Sequence, residues 1–452
     1  MTKRVVILGG GFAGVSTARE LVKRLRAQQR LSEPRRRRDE PDAVQVTLVS
    51  RDNYFVFQPL LADILSATIE TTHVVVPLRR MLGGVDVEVA VVERIDPERR
   101  VVEARRRLHG ERVEVAYDEL VLALGSVTDF RSVPGMAEHA VGIRTLGDAF
   151  YLRNRGLDVL EEARLEPDEE RRQRLLTVVV VGGGSTGVEV AAEVHDLLRT
   201  AARTFVTDRP LVPHVVLVHS GPYLLPQFGE RLGRYTTRKL AAVGVELMLG
   251  KRLARVGADS VTLDDGSSIP TETVVSTVGN APHPALAGLP ARRDARGWIL
   301  PDPTFRVPGL DHVWALGDCA SIVDPRDGRP MPATAQHAIR EGPHAARNVV
   351  ASLDGGEPEP FSYEQQGMLV SLGRFRGAGE ILGVRVSGLL AWIAWRGYYL
   401  LRLPTLDRKV RVGVDWTLDW FLRRDVVEIN VRRTRTRPDD PGGGEDLEIP
   451  VD

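Results

Sequence analysis

One short pattern occurs twice in this chain, and it restricts the fold more than any other feature. Val5-Val6-Ile7-Leu8 runs into Gly9-Gly10-Gly11-Phe12-Ala13-Gly14 and then a helical pattern, Val15 to Leu25. Val178-Val179-Val180-Val181 runs into Gly182-Gly183-Gly184-Ser185-Thr186-Gly187 and a second helical pattern, Val188 to Leu198. Four aliphatic residues in a row read as a buried parallel strand. Each glycine cluster fits G-x-G-x-x-G in the strand–turn–helix setting that the motif requires. In such a loop the first glycine permits a tight turn, the second admits a pyrophosphate, and the third lets helix and strand pack closely. The phosphates are then held by N–H groups at the helix N-terminus. Gly9, Gly11 and Gly14, with Phe12 and Ala13 between them, form the first candidate loop, and Gly182, Gly184 and Gly187 the second.

A further pair repeats. Leu120-Val121-Leu122-Ala123-Leu124-Gly125 resembles Thr273-Val274-Val275-Ser276-Thr277-Val278-Gly279, each a strand ending on glycine. The chain therefore carries two nucleotide-binding units, one suited to a resident dinucleotide and one to an exchangeable dinucleotide. The run Val313-Trp314-Ala315-Leu316-Gly317-Asp318 marks the first as the flavin unit. Asp318 sits at the C-terminal end of a strand, where α/β sheets bind ligands and a carboxylate can accept hydrogen bonds from sugar hydroxyls.

Composition closes off other classes. Lys plus Arg and Asp plus Glu are both 61. That balance lacks the basic excess of a nucleic-acid binder. The one cysteine, Cys319, can form neither an internal disulfide nor a zinc cluster, so no metal site is expected. It reads as a small buried residue. No signal peptide is visible at Met1-Thr2-Lys3-Arg4, which points to a cytosolic setting or the cytosolic face of a membrane. Arg26 to Ala43, with Arg35-Arg36-Arg37-Arg38, reads as a solvated insertion, and Glu161 to Arg174 as an exposed helix or linker.

Four of the six tryptophans lie between Trp392 and Trp420. Val412, Trp416 and Trp420 fall at i, i+4, i+8 on one helical face. Arg408, Lys409, Arg411, Arg423 and Arg424 flank them. The segment is too short and too charged to span a bilayer. Aromatics beside basic residues suit a helix lying in the membrane interface; the alternatives are core packing or a homodimer interface.

The paired fingerprints, the glycine-ending strands and Gly317-Asp318 resemble those of two-dinucleotide-domain flavoproteins. Within that group the chain is similar to the type II, non-proton-pumping NADH dehydrogenases. Asn53 to Leu61 (NYFVFQPLL), Val76-Pro77-Leu78-Arg79 and Pro332-Ala333-Thr334-Ala335-Gln336-His337-Ala338 carry that resemblance. It implies an α/β fold of two Rossmann-like domains. The FAD domain would comprise 1–145 and 295–375, with an NAD(P) domain, 146–294, inserted. An amphipathic helical segment, 376–430, and a disordered tail, 431–452, would follow. It also implies FAD, NADH or NADPH, and a quinone acceptor, with peripheral attachment to the cytoplasmic side of the cell membrane. Glu189 would face nicotinamide and flavin, and Ala335, Gln336 and Ala338 would run past the flavin towards the quinone.

The chain departs from the family at several positions. Where a Rossmann acid should follow each second strand stand Ser50, with Asp52 two residues on, and His219. Arg340 replaces a family glutamine, and Gln366 a lysine. Glu189, Gln336 and Arg340 are the candidate catalytic residues. Two other readings remain: a soluble NAD(P)H oxidoreductase with another acceptor, and a non-catalytic nicotinamide-binding sensor.

Overall fold

The computed structural model describes residues 2–32, 42–206, 208–365, 367–422, 424, 426–428, 432–433 and 445–446. The arginine run 35–38, Gln366 and Arg423 lie outside the described residues. So does the expected tail, except that Arg432–Arg433 pairs antiparallel with Glu445–Asp446.

The chain forms two compact units. The first comprises Met1–Val56, Val75–Thr128 and Asn280–Gln365, and the second Phe57–Val74, Asp129–Gly279 and Gln366–Asp452. The divisions thus fall at 128/129 and 279/280, against the expected 145 and 294. The short segment 57–74 and the whole C-terminal region group with the second unit.

The first unit is built on a sheet in which Lys3–Leu8 lies between Val44–Ser50 and Glu119–Leu122, all parallel. Val313–Ala315 and Asp86–Asp96 extend the parallel set on either side. Val101–Arg106 and Arg112–Ala116 add an antiparallel meander. The strand order reverses beside Lys3–Leu8, which makes the C-terminal end of that strand the natural ligand crevice. Apolar residues of both strand sets pack with Cys319 into one core.

Two helices of this unit pack on each other. Phe12–Ala27 follows the first glycine loop, and Ala335–Leu353 lies against it. Their contact is close because Gly342 has no side chain. A Cβ there would stand 2.6 Å from that of Ser16 and 2.8 Å from the Ala13 carbonyl oxygen.

The second unit repeats the plan. Thr177–Val181 lies between His214–His219 and Thr273–Ser276, with Glu246–Leu249 and Ala140–Gly142 at the edges, all parallel. A core of aliphatic residues packs beneath it. Glu161 to Arg174 is not one exposed helix: it spans the end of Leu146–Leu165 and most of Glu169–Leu176. Arg172 is buried there, where it donates to the Ala163 and Pro210 carbonyls.

The C-terminal region forms a three-stranded antiparallel sheet, Gly367–Ser371, Gly377–Ile381 and Val384–Ser387. Helices Leu389–Arg402 and Leu406–Leu418 follow. The tryptophan stripe points inward rather than outward, which corrects the membrane-face expectation. Trp392, Trp395, Val412 and Trp416 are buried, and only Trp420 is exposed. Packing explains the inversion: Arg396 lies over the Trp392 and Trp416 rings at 3.9 and 4.9 Å. Of the flanking basic residues, Arg424 is partly buried and paired with Asp196 and Asp419. The outward stripe is aliphatic instead: Leu406, Val410, Val414 and Leu418. Among the described residues no helix is long and apolar enough to cross a membrane.

Candidate active site

The two glycine loops are built alike. Gly9 and Gly182 adopt φ of +111° and +114°, a region that only glycine enters without strain. Gly14 and Gly187 could carry no Cβ, which would stand 2.0 and 1.8 Å from the carbonyl oxygens of Gly9 and Gly182. Gly11 and Gly184 are the opposite case, with nothing within 4 Å of a built Cβ. Each opens on free space at the mouth of its sheet.

Helices start at once, at Phe12 and at Ser185, with no side-chain cap and no acid in the first turn. Uncapped N–H groups facing free space are the donor set that a pyrophosphate needs. The residues of both loops therefore fit a dinucleotide.

In the first unit, the turn after Val313–Ala315 brings Asp318 beside this loop. Gly317 has φ +69°, and a Cβ there would lie 2.9 Å from that of Ala13. Glu341, buried on the helix Ala335–Leu353, accepts the Gly317 N–H at 2.7 Å and so fixes the turn. Burial, with Asp318 nearby, pushes the Glu341 carboxyl up to about 7. Sequence reasoning passed over Glu341. The available signal was its place on an apolar stripe with Ala338, Gly342 and Ala345, all drawn close to the neighbouring helix.

At the end of the second strand Ser50 is buried, its Oγ 2.5 Å from where a Cβ of Gly10 would lie. Asp52 is held by Arg107 at 3.2 Å and Arg51 at 3.4 Å. Gly125, at φ +71°, closes its strand with open space around it.

The helix Ala335–Leu353 is capped by Thr334, whose hydroxyl meets His337 Nδ1 at 2.8 Å. Ala335 and Gln336 are partly exposed at its first turn, while Ala338 and His337 are buried. Arg340 does share a face with Gln336, but it donates to the Gln336 carbonyl, at 2.8 Å, rather than meeting its side chain. Its guanidinium stacks on Tyr363 at 4.3 Å. Burial, reinforced by Arg340, lowers the His337 imidazole to about 4.

In the second unit Glu189 lies one turn into the helix Ser185–Ala202. Its Oε1 accepts from the Ser371 N–H at 3.0 Å and from Trp395 Nε1 at 3.1 Å. Burial raises its carboxyl to about 8, and Asp63 and Glu193 add to the rise. It therefore carries a proton at neutral pH, and with Oε1 occupied that proton belongs on Oε2.

Nearby, Asp63, Glu193, Arg396 and Asp419 are buried and, with the partly buried Arg424, form a cluster of acids and guanidinium groups. The sequence held hints of this cluster. Asp63 is the lone acid in Leu60-Leu61-Ala62-Asp63-Ile64-Leu65, and Glu193 is four residues from Glu189.

His219 stands where the ribose acid was expected, and its Nδ1 accepts the Gly183 N–H at 3.2 Å. Burial lowers its pKa, so the ring is neutral. Gly279, at φ +77°, ends the adjacent strand segment, and its carbonyl accepts the Asp129 N–H at 3.0 Å.

Known proteins share this plan. The pyridine nucleotide-disulphide oxidoreductase family matches residues 3–342. The type II NADH:quinone oxidoreductase Ndh of Mycobacterium tuberculosis is 30% identical, over 93% of this chain and 89% of its own. The demethylphylloquinone reductase NdbB of Synechocystis is also 30% identical, over 92% and 97%. Among solved structures, NDH2 from Plasmodium falciparum in complex with NADH superposes with a TM-score of 0.83 at 17% identity, covering 94% of this chain and 100% of that one. The chain belongs to the pyridine nucleotide-disulphide oxidoreductase family and, within it, to the type II NADH:quinone oxidoreductases.

Proposed function

We infer that this protein is an FAD-dependent NADH dehydrogenase that delivers electrons to a membrane quinone without pumping protons. The observation that carries this is the pair of uncapped glycine loops, one in each unit, in a chain 30% identical along 93% of its length to a type II NADH:quinone oxidoreductase. FAD, held by the first glycine loop, would supply two-electron chemistry between NADH and the quinone. The reaction balances as NADH, one proton and a quinone giving NAD⁺ and a quinol.

The chain's own residues bind, orient and hold protons. Backbone N–H groups after Gly11 seat the FAD pyrophosphate, and Asp318 and Ser50 take sugar hydroxyls. The loop from Gly182 to Gly187 seats the nicotinamide dinucleotide. Neutral His219 offers no cation to a 2′-phosphate, which supports NADH over NADPH. Glu189 holds a proton at Oε2 for the quinol. Gln336 donates to a quinone carbonyl, and Arg340 supplies fixed positive charge beside it.

The exposed row Leu406, Val410, Val414 and Leu418, with Phe421 and Leu422, seats the protein on the cytoplasmic face of the membrane. A second copy covering the same row would instead give a lipid-independent dimer.

Anaerobic stopped-flow tests the reading. NADH should bleach the flavin absorbance of the purified protein, and a short-chain quinone should restore it. A colourless protein, or turnover with oxygen or dyes but never with a quinone, would overturn it.

A further inference from the structure

The far end of the helix Ser185–Ala202 lines a pocket that the proposed chemistry does not use. It has a volume of about 260 Å³ and lies against Ala242 and Val243 and the turn at Leu372, Gly373 and Arg376. Arg199, Arg203 and Arg376 stand around it, all exposed. None of the three has an ion-pair partner among the described residues. Asp196, the pocket's carboxylate, is already held by Arg424.

Arg199 and Arg203 are a like-charged i, i+4 pair, which costs stability unless a counter-charge sits between them. A helix C-terminus gives those two some reason to be basic. Arg376 comes from a strand turn and has no such reason. His195 also lines the pocket at 7% exposure, with neither ring nitrogen hydrogen-bonded. The Val243 carbonyl lies beside it, and burial keeps the ring neutral. Three guanidinium groups make a donor set for a phosphate.

Exposed aromatic surface begins at the residue before Arg376 in the same turn. Phe375, next to Arg376, is 42% exposed. Its ring packs on Trp392 at 5.1 Å and on Trp420 at 6.1 Å between centroids. Trp420, Phe421 and Leu422 then carry the apolar strip outward. A cationic hollow, with an exposed Phe375–Trp420 pair that starts one residue from its Arg376, matches one ligand class: an acidic headgroup joined to hydrocarbon chains.

We propose that this pocket binds the phosphate of an anionic phospholipid, whose acyl chains lie along Phe375, Trp420 and Phe421. The inference rests on the peripheral-membrane reading and assigns it a lipid-selective site.

Co-sedimentation of the flavin-loaded protein with vesicles tests it. The vesicles are phosphatidylcholine alone or phosphatidylcholine with phosphatidylglycerol. The Arg199→Gln/Arg376→Gln variant is compared with an equal-charge control on a segment that does not line the pocket, Arg252→Gln/Arg255→Gln. Wild-type protein should prefer the anionic vesicles. The pocket variant should lose that preference by about fivefold for each arginine removed, while keeping its binding to phosphatidylcholine and its flavin. The control variant should stay near wild type. Inorganic phosphate should compete only weakly; full displacement by millimolar phosphate would reassign the site to a soluble anion. If both double variants fall alike, attraction is diffuse and the site is refuted while membrane attachment stands. Wild-type protein that binds neither vesicle refutes both.

Discussion

Side chains with no hydrogen-bonding group decide the binding loops. Gly11 and Gly184 matter for the space they leave, and Gly14 and Gly187 for the space they cannot spare. Gly11→Val should fold, since its Cβ meets nothing, yet lose FAD because the pyrophosphate cannot approach. Full flavin absorbance in the purified variant would contradict the assignment. Arg340→Gln should slow reoxidation by quinone while leaving reduction by NADH near wild type; equal change in both stopped-flow phases would remove Arg340 from the acceptor site. His219→Asp supplies an acceptor for the ribose 2′-hydroxyl and repels a 2′-phosphate. The ratio of kcat/KM for NADH over NADPH should rise about tenfold or more, the worth of one charge-assisted hydrogen bond.

Elements place these residues, and the sequence revealed the elements unevenly. Both strand–glycine–helix units were legible because aliphatic runs and glycine spacing are local signals. The orientation of the C-terminal helices was not. Helical periodicity reports which residues share a face, but not whether that face meets core or lipid. Trp416 met the core because Trp395 and Arg396 lie opposite it. Arg424 looked like a surface charge because Asp196 and Asp419, its partners, are remote or uninformative in sequence. Glu341 was hidden for a similar reason, since its partner is a backbone N–H.

The membrane test follows from the same orientation. Removing the chain after Ile381 would uncover Glu189 and strand the buried acids, so the truncated protein should misfold rather than turn soluble. Leu406→Ser/Val410→Ser/Val414→Ser alters only the outward stripe. It should release the enzyme from vesicles while keeping flavin content and turnover with a water-soluble quinone. Undiminished sedimentation would move the attachment elsewhere.

At the scale of the whole molecule, buried titratable groups set the response to pH. Glu189 and Glu341 keep protons up to about pH 8 and 7 in the native state, well above the usual glutamate value of 4.5. The unfolded chain releases those protons earlier, so each costs stability as pH rises from about 4.5 towards its native value. The slope is about 1.4 kcal/mol per pH unit for each proton held. His337, lowered to about 4, acts in the opposite sense. The unfolded imidazole gains a proton below 6.5 that the native one refuses, so stability falls as pH drops from 6.5 to 4. Between pH 4.5 and 6.5 the imidazole offsets only one of the two carboxyls; above 6.5 nothing opposes the acids. The thermal midpoint should therefore decline from pH 6.5 to 8, and Glu341→Gln should flatten its first part, up to about pH 7, leaving the part due to Glu189. A midpoint flat across this range in the wild-type enzyme would show that these carboxyls ionise normally.

The lone thiol leads in another direction. Cys319 is fully buried, hydrogen-bonded to the Leu122 and Leu316 carbonyls, and its pKa is pushed up to about 12. A thiol so placed is neither a nucleophile nor a target for peroxide formed when a reduced flavin meets oxygen. The native protein is thus chemically silent towards maleimides, and any cysteine added to its surface becomes a unique attachment point. Spin labels or fluorophores placed one at a time along the outward stripe of the last helix could then report its depth in a bilayer, with no background mutation needed.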